Sequence, residues 1–178
     1  VLSVVNSNLD LDDIEENKNL TTKDLINQFN KEYEAFKNDF PESAIEWDAQ
    51  IDGEIMYHSA GVISIVITSY QNTGGAHGLL NITFLNFDVE TGKALNNEEL
   101  FADMFGFKQL AQQHFNKVIA DKKDMYFEPE NFTLPANIGF DDDGLFLLYN
   151  SYEIAPYSTG LTEIHIPYEE VSMMLNYM

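Results

Sequence analysis

A glycine-rich segment between two strand-like runs constrains the fold more than any other feature of this sequence. The runs at residues 62–68 and 79–89 are rich in β-branched, leucine and aromatic residues, which suit a half-buried strand. The segment between them spans residues 70–78, and its glycines and histidine are Gly74, Gly75, Gly78 and His77. Glycine inside a strand pattern usually marks a bulge, a bend or a close approach of two backbones. We therefore expect a bend that leads one strand into the next.

An amphipathic helix is predicted ahead of these strands. Apolar residues recur every three or four positions from Leu25 to Phe40, which places them on one helical face. Thr21 or Thr22 can cap the first turn, and Pro41 cannot continue the helix. One helix that ends at Pro41 is therefore expected.

Further elements follow from local patterns. Residues 44–57 alternate between apolar and polar side chains, as in a strand pair or one bent strand. Asn96 is predicted to cap a short helix that Gly106 ends, and an apolar stripe from Phe107 predicts a second helix. The turn at residues 141–144 favours a hairpin with its glycine in the left-handed conformation.

These elements predict an α+β fold, in which helices pack on an antiparallel β-sheet. The length of 178 residues suits a single domain over residues 1–178. Within it, residues 1–20 are interpreted as a strand remnant and loop, and residues 21–178 as the main α+β body. The sequence holds no apolar run near the ~18 residues that a membrane-spanning helix requires, so this segment is not expected to insert into a membrane.

The strong negative charge limits the classes of partner. The chain carries 30 acidic residues against nine lysines and no arginine, for a net charge of −21. Nucleic acids and anionic membrane surfaces are therefore excluded as partners, because both require basic side chains. The charge fits a basic partner, a cation, or solubility alone. The absence of cysteine removes thiol catalysis, disulfides and thiolate metal sites.

Two interpretations of His77 remain open. It is either a catalytic or ligand-binding imidazole on a shaped backbone, or a histidine that hydrogen-bonds locally and stabilises the bend. No Gly-x-Ser-x-Gly motif accompanies it, and the histidines lack the spacing of a zinc-binding helix. The acids at residues 141–143 do not match a calcium loop. We therefore predict no metal, no cofactor and no catalytic residue.

An aromatic loop at residues 151–160 is a second candidate surface. Its tyrosines, Tyr152 and Tyr157, either contact a protein or a sugar, or cover the open end of the core. The residues predicted to bind a ligand are therefore drawn from both segments: Tyr70, Gly74, Gly75, His77, Tyr152 and Tyr157.

Several motifs in order resemble a bacterial extracytoplasmic family. They are residues 73–78, 86–93, 99–101, 140–144, 152–160 and 166–168. In order and spacing they resemble the outer domain of RsiV, a lysozyme-sensing anti-sigma factor. A similar domain, of the DUF3298/DUF4163 type and of unknown function, precedes the catalytic domain of PdaC-type peptidoglycan deacetylases.

The resemblance implies a location and a class of function. It implies an exported or lipid-anchored protein in the periplasm or on the cell surface, with any lipid anchor upstream of this segment. It does not imply an enzyme, because the deacetylase chemistry belongs to a different domain. The leading interpretation is a non-catalytic envelope module that binds a basic protein such as lysozyme, or a cell-wall component such as peptidoglycan. The alternatives are a cell-wall glycan hydrolase that uses His77 and nearby carboxylates, and a structural lipoprotein domain.

Overall fold

The computed structural model describes residues 21–177, which divide into two compact units. The first unit comprises residues 21–52 and 68–81, and the second comprises residues 53–67 and 82–177. The strand remnant and loop predicted at residues 1–20 lie outside the described residues. The single-domain boundary stays a prediction.

Strands and helices confirm the α+β class, with two antiparallel sheets where one was expected. The strands of the first sheet, given in their order across the sheet, are β1 (Asp48–His58), β2 (Val62–Asn72), β3 (Leu79–Asp88) and β4 (Ala94–Leu95). Those of the second sheet are β5 (Asn137–Phe140), β6 (Gly144–Tyr149) and β7 (Thr162–Pro167). The α-helices are α1 (Thr22–Asp39), α2 (Met104–Ile119) and α3 (Tyr168–Val171).

Helix α1 belongs to the first unit and confirms the predicted helix. The Thr21 hydroxyl accepts a hydrogen bond from the Asp24 backbone N–H, and the Asp24 carboxylate accepts one from the Thr21 backbone. This capping box satisfies donors that the first turn leaves unpaired. The helix ends at Asp39, two residues before Pro41. Residues 48–58 form one strand, β1, which decides between the two interpretations of the alternating segment.

Helix α2 corrects the prediction that Gly106 ends a helix. Asn96 does cap a short element, the 3-10 helix Asn97–Leu100, but Gly106 lies inside the first turn of α2. The Asp103 side chain accepts a hydrogen bond from the Gly106 N–H at 2.9 Å, so Asp103 is the cap. Near a capped end, glycine does not interrupt the helical hydrogen bonds.

The core of the second unit lies between α2 and the second sheet. Helix α2 packs against β7, and α3 packs against β6 and β7. The rings of Phe101 and Phe107 stack with their centroids 3.8 Å apart. The ring centroid of Phe115 lies 5.9 Å from that of Tyr149, the last residue of β6. These large rings contribute much of the buried apolar surface that stabilises the unit.

Buried polar side chains connect the two sheets inside the second unit. The Phe84 N–H donates to the Asn137 side chain at 3.1 Å, and the Asn86 amide donates to the Ile138 carbonyl at 2.7 Å. The Phe140 N–H donates to the Ser64 hydroxyl at 3.0 Å. Side chains therefore satisfy backbone groups that would otherwise be buried without partners.

The hairpin between β5 and β6 confirms the predicted turn and corrects the reason for its glycine. Gly144 is not among the glycines with positive φ, so it does not supply a left-handed conformation. It begins β6 instead, and a Cβ atom at this position would lie 2.2 Å from the Ile166 carbonyl oxygen of β7. Glycine is required here because two backbones approach closely.

Substitution of Gly144 tests this close approach. We expect Gly144→Ala to lower the free energy of unfolding by about 2 kcal/mol or more, because an overpacked backbone contact must be relieved by movement of a strand. Denaturant unfolding monitored by circular dichroism measures the change.

Gly75→Ala is the matched control. A Cβ atom at Gly75 would meet its nearest neighbour, the His77 carbonyl oxygen, at an ordinary 3.7 Å. Its effect is expected to stay within about 0.5 kcal/mol. Equal stability of the two variants would contradict the assigned role of Gly144.

Candidate functional site

The glycine and histidine segment forms the bend predicted between β2 and β3. Gly74 adopts a positive φ of 90°, which side-chain-bearing residues rarely adopt. A Cβ atom at this position would also lie 2.8 Å from Cγ2 of Ile45, so a larger residue would meet a neighbouring side chain. The Gly74 N–H donates to the Asn72 side chain at 3.1 Å. The bend is therefore stabilised by its own local contacts.

Tyr70 and His77 lie at the two sides of this bend. A Cβ atom at Gly78 would lie 2.3 Å from the Tyr70 hydroxyl, so the tyrosine ring packs against the glycine backbone. Nδ1 of His77 lies 3.3 Å from the Gly78 carbonyl oxygen. These contacts agree with a structural histidine. The binding roles predicted for Tyr70, Gly74, Gly75 and His77 stay predictions.

The two predicted tyrosines belong to the second unit. Tyr152 and Tyr157 have ring centroids 5.8 Å apart, and 53% and 36% of their surfaces are exposed. Tyr152 adopts φ = 72° and is the one non-glycine residue with positive φ in the described chain. The turn around it is closed by a hydrogen bond from the Glu153 N–H to the Asn150 carbonyl at 3.1 Å. A bulky residue in this region is strained, and such strain concentrates at functional sites.

Two cavities of the second unit form one concave surface. Their volumes are about 300 Å³ and about 620 Å³, in the range of ligand sites. They adjoin, because Thr133 and Glu153 line both, and we call the pair the acidic cleft. The smaller cavity is lined by Phe115, Tyr126, Phe127, Glu128, Asn131, Thr133, Tyr149, Glu153 and Ile154. The larger is lined by Asn97, Glu98, Met104, Lys108, Phe132, Thr133, Leu134, Pro135, Ala136 and Glu153.

Hydrogen bonds hold the walls of the cleft in place. The Tyr149 hydroxyl, at the end of β6, donates to the Thr133 carbonyl at 2.6 Å. The Phe127 N–H donates to the Ile154 carbonyl at 3.0 Å. The Glu153 carboxylate accepts from the Asn150 N–H at 2.9 Å, which orients one of its oxygens. One local hydrogen bond and two between segments farther apart in sequence therefore fix the walls of the cleft.

The electrostatics of the cleft favour a cation or a hydrogen-bond donor. Glu128 and Glu153 line the smaller cavity, where the rings of Phe115 and Tyr126 supply apolar walls. Burial, followed by the nearby charge of Glu153, raises the pKa of Tyr149 above its usual range, so this phenol stays protonated at neutral pH. In residues 21–177 no group of three His, Cys, Asp or Glu side chains has the geometry to hold a metal ion.

Sequence reasoning found the loop and missed the residues that line the cleft. Tyr152 and Tyr157 line neither cavity, whereas Glu153, between them in sequence, lines both. Glu128 was not singled out because the chain has 30 acidic residues. The left-handed position of the turn that carries Glu153 is occupied by Tyr152, not by the glycine or asparagine that would have signalled it. The binding roles predicted for Tyr152 and Tyr157 stay predictions, and Glu153 and Glu128 are further candidates.

Comparisons with family models match two separate parts of the chain. Residues 92–169 match the family described as "Protein of unknown function (DUF3298)". Residues 5–80 match the family described as "Deacetylase PdaC". The search of curated proteins gave no significant match.

Two solved structures share the fold. A DUF3298 family protein from Pseudomonas aeruginosa PAO1 is 24% identical with a TM-score of 0.62, over 80% of this chain and 69% of that protein. A DUF3298 family member from Bacteroides fragilis NCTC 9343 is 27% identical with a TM-score of 0.65, over 89% of this chain and 70% of that protein. Each is a structure to which this chain is similar.

The class that fold and site define is an α+β domain with a concave surface lined by carboxylates. The matches to the DUF3298 and PdaC models confirm the resemblance stated from the motifs, to a DUF3298/PdaC-type domain of unknown function. In the described residues, no helix is long and apolar enough to cross a membrane.

The strained backbone at Tyr152 provides a test of the turn that carries Glu153. We expect Tyr152→Gly to be more stable than Tyr152→Ala by about 1 kcal/mol, because only alanine keeps the penalty of a left-handed conformation. Both variants lack the ring, so lost ring contacts cancel in the comparison. Thermal and denaturant unfolding of the two variants measure the difference. An alanine variant as stable as the glycine variant would show that the turn is unstrained in solution.

Proposed function

We propose that this protein is a non-catalytic binding module of the bacterial envelope that recognises a basic protein through the acidic cleft. The observation that carries the proposal is the meeting of two ligand-sized cavities at Glu153, with a further carboxylate and aromatic walls beside it. A lysine or arginine side chain of a partner fits this chemistry, because carboxylates accept its hydrogen bonds and aromatic faces attract its charge.

The charge of the whole chain supports the same class of partner. A net charge of −21 attracts a basic protein over long range and speeds its encounter with the cleft. The long-range attraction raises the association rate, and the cleft orients the bound partner. The two features act at different distances and favour the same sign of partner.

The envelope location rests on the family. The chain matches the PdaC family model over residues 5–80, and PdaC-type domains are typically extracytoplasmic. The motifs resemble the outer domain of a lysozyme-sensing protein. A lysozyme of the c type, which is basic and meets bacterial envelopes, is therefore the first partner to test.

Calorimetric titration of the full chain with a c-type lysozyme tests the proposal. Binding is expected, and its affinity should fall steeply between about 20 mM and about 300 mM salt, since screening weakens exposed charge pairs. Glu153→Gln should weaken binding by about tenfold or more, because it removes one partner of a charged hydrogen bond. The glutamine retains an oxygen that can accept from the Asn150 N–H, so the fold is expected to persist.

Glu163→Gln is the matched control for charge. Glu163 is an exposed residue of β7, outside the lining of both cavities, and its loss removes the same single charge. Its effect on affinity should stay within about twofold. No binding at low salt, or equal losses in the two variants, would overturn the cleft as a site for this partner. Release of soluble fragments from peptidoglycan by the protein would overturn the non-catalytic assignment.

A further inference from the structure

A second concave surface lies in the first unit, between α1 and the start of β1. Its volume is about 450 Å³, which again falls in the range of ligand sites. Ile26 and Phe29 of α1 form one wall, and Ala49 and Ile51 of β1 form the other. Ile26 is 55% exposed although it lies in this apolar wall. We call this surface the α1/β1 groove.

The groove reaches the backbone edge of β1. The strand order places β1 at one end of the four-stranded sheet, so in residues 21–177 its outer edge pairs with no other strand. Asp48 and Ala49 both line the groove, although consecutive residues of a strand point to opposite faces. A surface that both residues line includes the strand edge. Unpaired N–H and C=O groups on such an edge are a template for an added strand.

The acids of β1 favour a basic added strand, although α1 carries Lys23 and Lys31 next to the lining residues Thr22 and Asn30. The sequence has no lysine or arginine between residues 38 and 92, while Glu46, Asp48 and Asp52 lie in or beside the groove-forming part of β1. A second copy of this chain would place like charges opposite each other across the new pair, which is unfavourable. Lysine or arginine on the added strand would place opposite charges there.

We propose that the α1/β1 groove binds an extended, basic segment of a partner protein as an additional β-strand. Main-chain hydrogen bonds to the edge of β1 hold the segment, and its alternate apolar side chains enter the groove. The residues between these apolar ones point to the other face of the added strand, and there lysine or arginine lies near the acids of β1. This site lies wholly within the first unit and is independent of the acidic cleft, so it stands even if the lysozyme proposal fails.

Trp47 marks the groove and reports on it. It is the single tryptophan of the chain and lines the groove, where the rings of Phe29, Tyr33 and Phe36 surround it at 5.5–5.7 Å. Among residues 21–177 its indole Nε1 is buried with no hydrogen-bond partner. An unpaired buried donor is unfavourable, and a carbonyl group in the groove is the kind of partner that it lacks. Emission excited selectively from tryptophan therefore reports on this site.

Titration of the full chain with a synthetic peptide tests the proposal. The probe is a capped peptide of alternating valine and lysine, about eight residues long, the length of an ordinary strand. A saturable change in Trp47 emission is expected. A peptide of alternating valine and glutamate should bind at least about tenfold more weakly, because it repeats the sign of the β1 acids. A valine–lysine peptide with a central proline should also bind at least about tenfold more weakly, since proline removes a main-chain donor.

A variant of the groove has a matched control. Ile26→Asp should weaken binding of the valine–lysine peptide by at least about tenfold, because it places a charge in the apolar wall. Val118→Asp changes a β-branched, exposed residue of α2, in the other unit, and should leave the affinity within about twofold. Thermal melting checks that both variants are folded.

Four results would overturn the proposal. The first is an unchanged Trp47 emission with the valine–lysine peptide. The second is equal binding of the proline-containing or glutamate-containing peptide. The third is loss of peptide binding in Glu153→Gln, which would place the peptide in the acidic cleft. The fourth is concentration-dependent dimerisation that Ile26→Asp abolishes, which would assign the groove to a second copy of this chain.

Discussion

Hydrogen bonds from buried side chains to backbone groups connect the two sheets of the second unit, and the packing around them depends on these bonds. Asn137 accepts from the backbone of β3, and the Asn86 amide donates to the backbone of β5. Each bond satisfies a main-chain group that water cannot reach. Phe84 can then lie directly over Gly139, where a Cβ atom would be only 2.9 Å from its ring. The hydrogen bonds of Asn137 and Asn86, together with the absence of a side chain at Gly139, allow β3 and β5 to approach closely.

Hydrogen bonds from a side chain to backbone groups also position part of the acidic cleft. The Asn150 amide accepts from the Ile82 N–H at 2.8 Å and donates to the Ile82 carbonyl at 2.9 Å, so it replaces a strand partner at the end of β6. Asn150 also begins the turn that contains Tyr152 and Glu153. The position of Glu153 therefore depends on the Asn150 side chain, which makes the two hydrogen bonds that a neighbouring strand would otherwise make. A carboxylate held in this way has less conformational freedom left to lose in any further contact.

Features that depend on neighbours in sequence were predictable, and features that depend on distant segments were not. The cap at Thr21, the end of α1 and the bend at Gly74 all follow from residues within one turn or one loop. The role of Gly144 did not, because the backbone that requires it belongs to β7, more than twenty residues later. The cleft was hidden for the same reason, since α2, β6 and the loop after β6 each contribute part of its wall. Periodicity reports which face of an element is buried and carries no information on which segments meet.

Two of the positive-φ positions in residues 21–177, Gly74 and Tyr152, differ in how far the fold explains them. Gly74 has a positive φ, and glycine adopts it with little strain, so the fold alone accounts for the residue. Tyr152 has a similar φ and carries a large side chain that makes the conformation costly, although glycine would form the same turn. Stability of the turn alone would favour glycine at this position. The fold alone therefore does not account for a tyrosine at this strained, half-exposed position next to the carboxylate shared by both cavities.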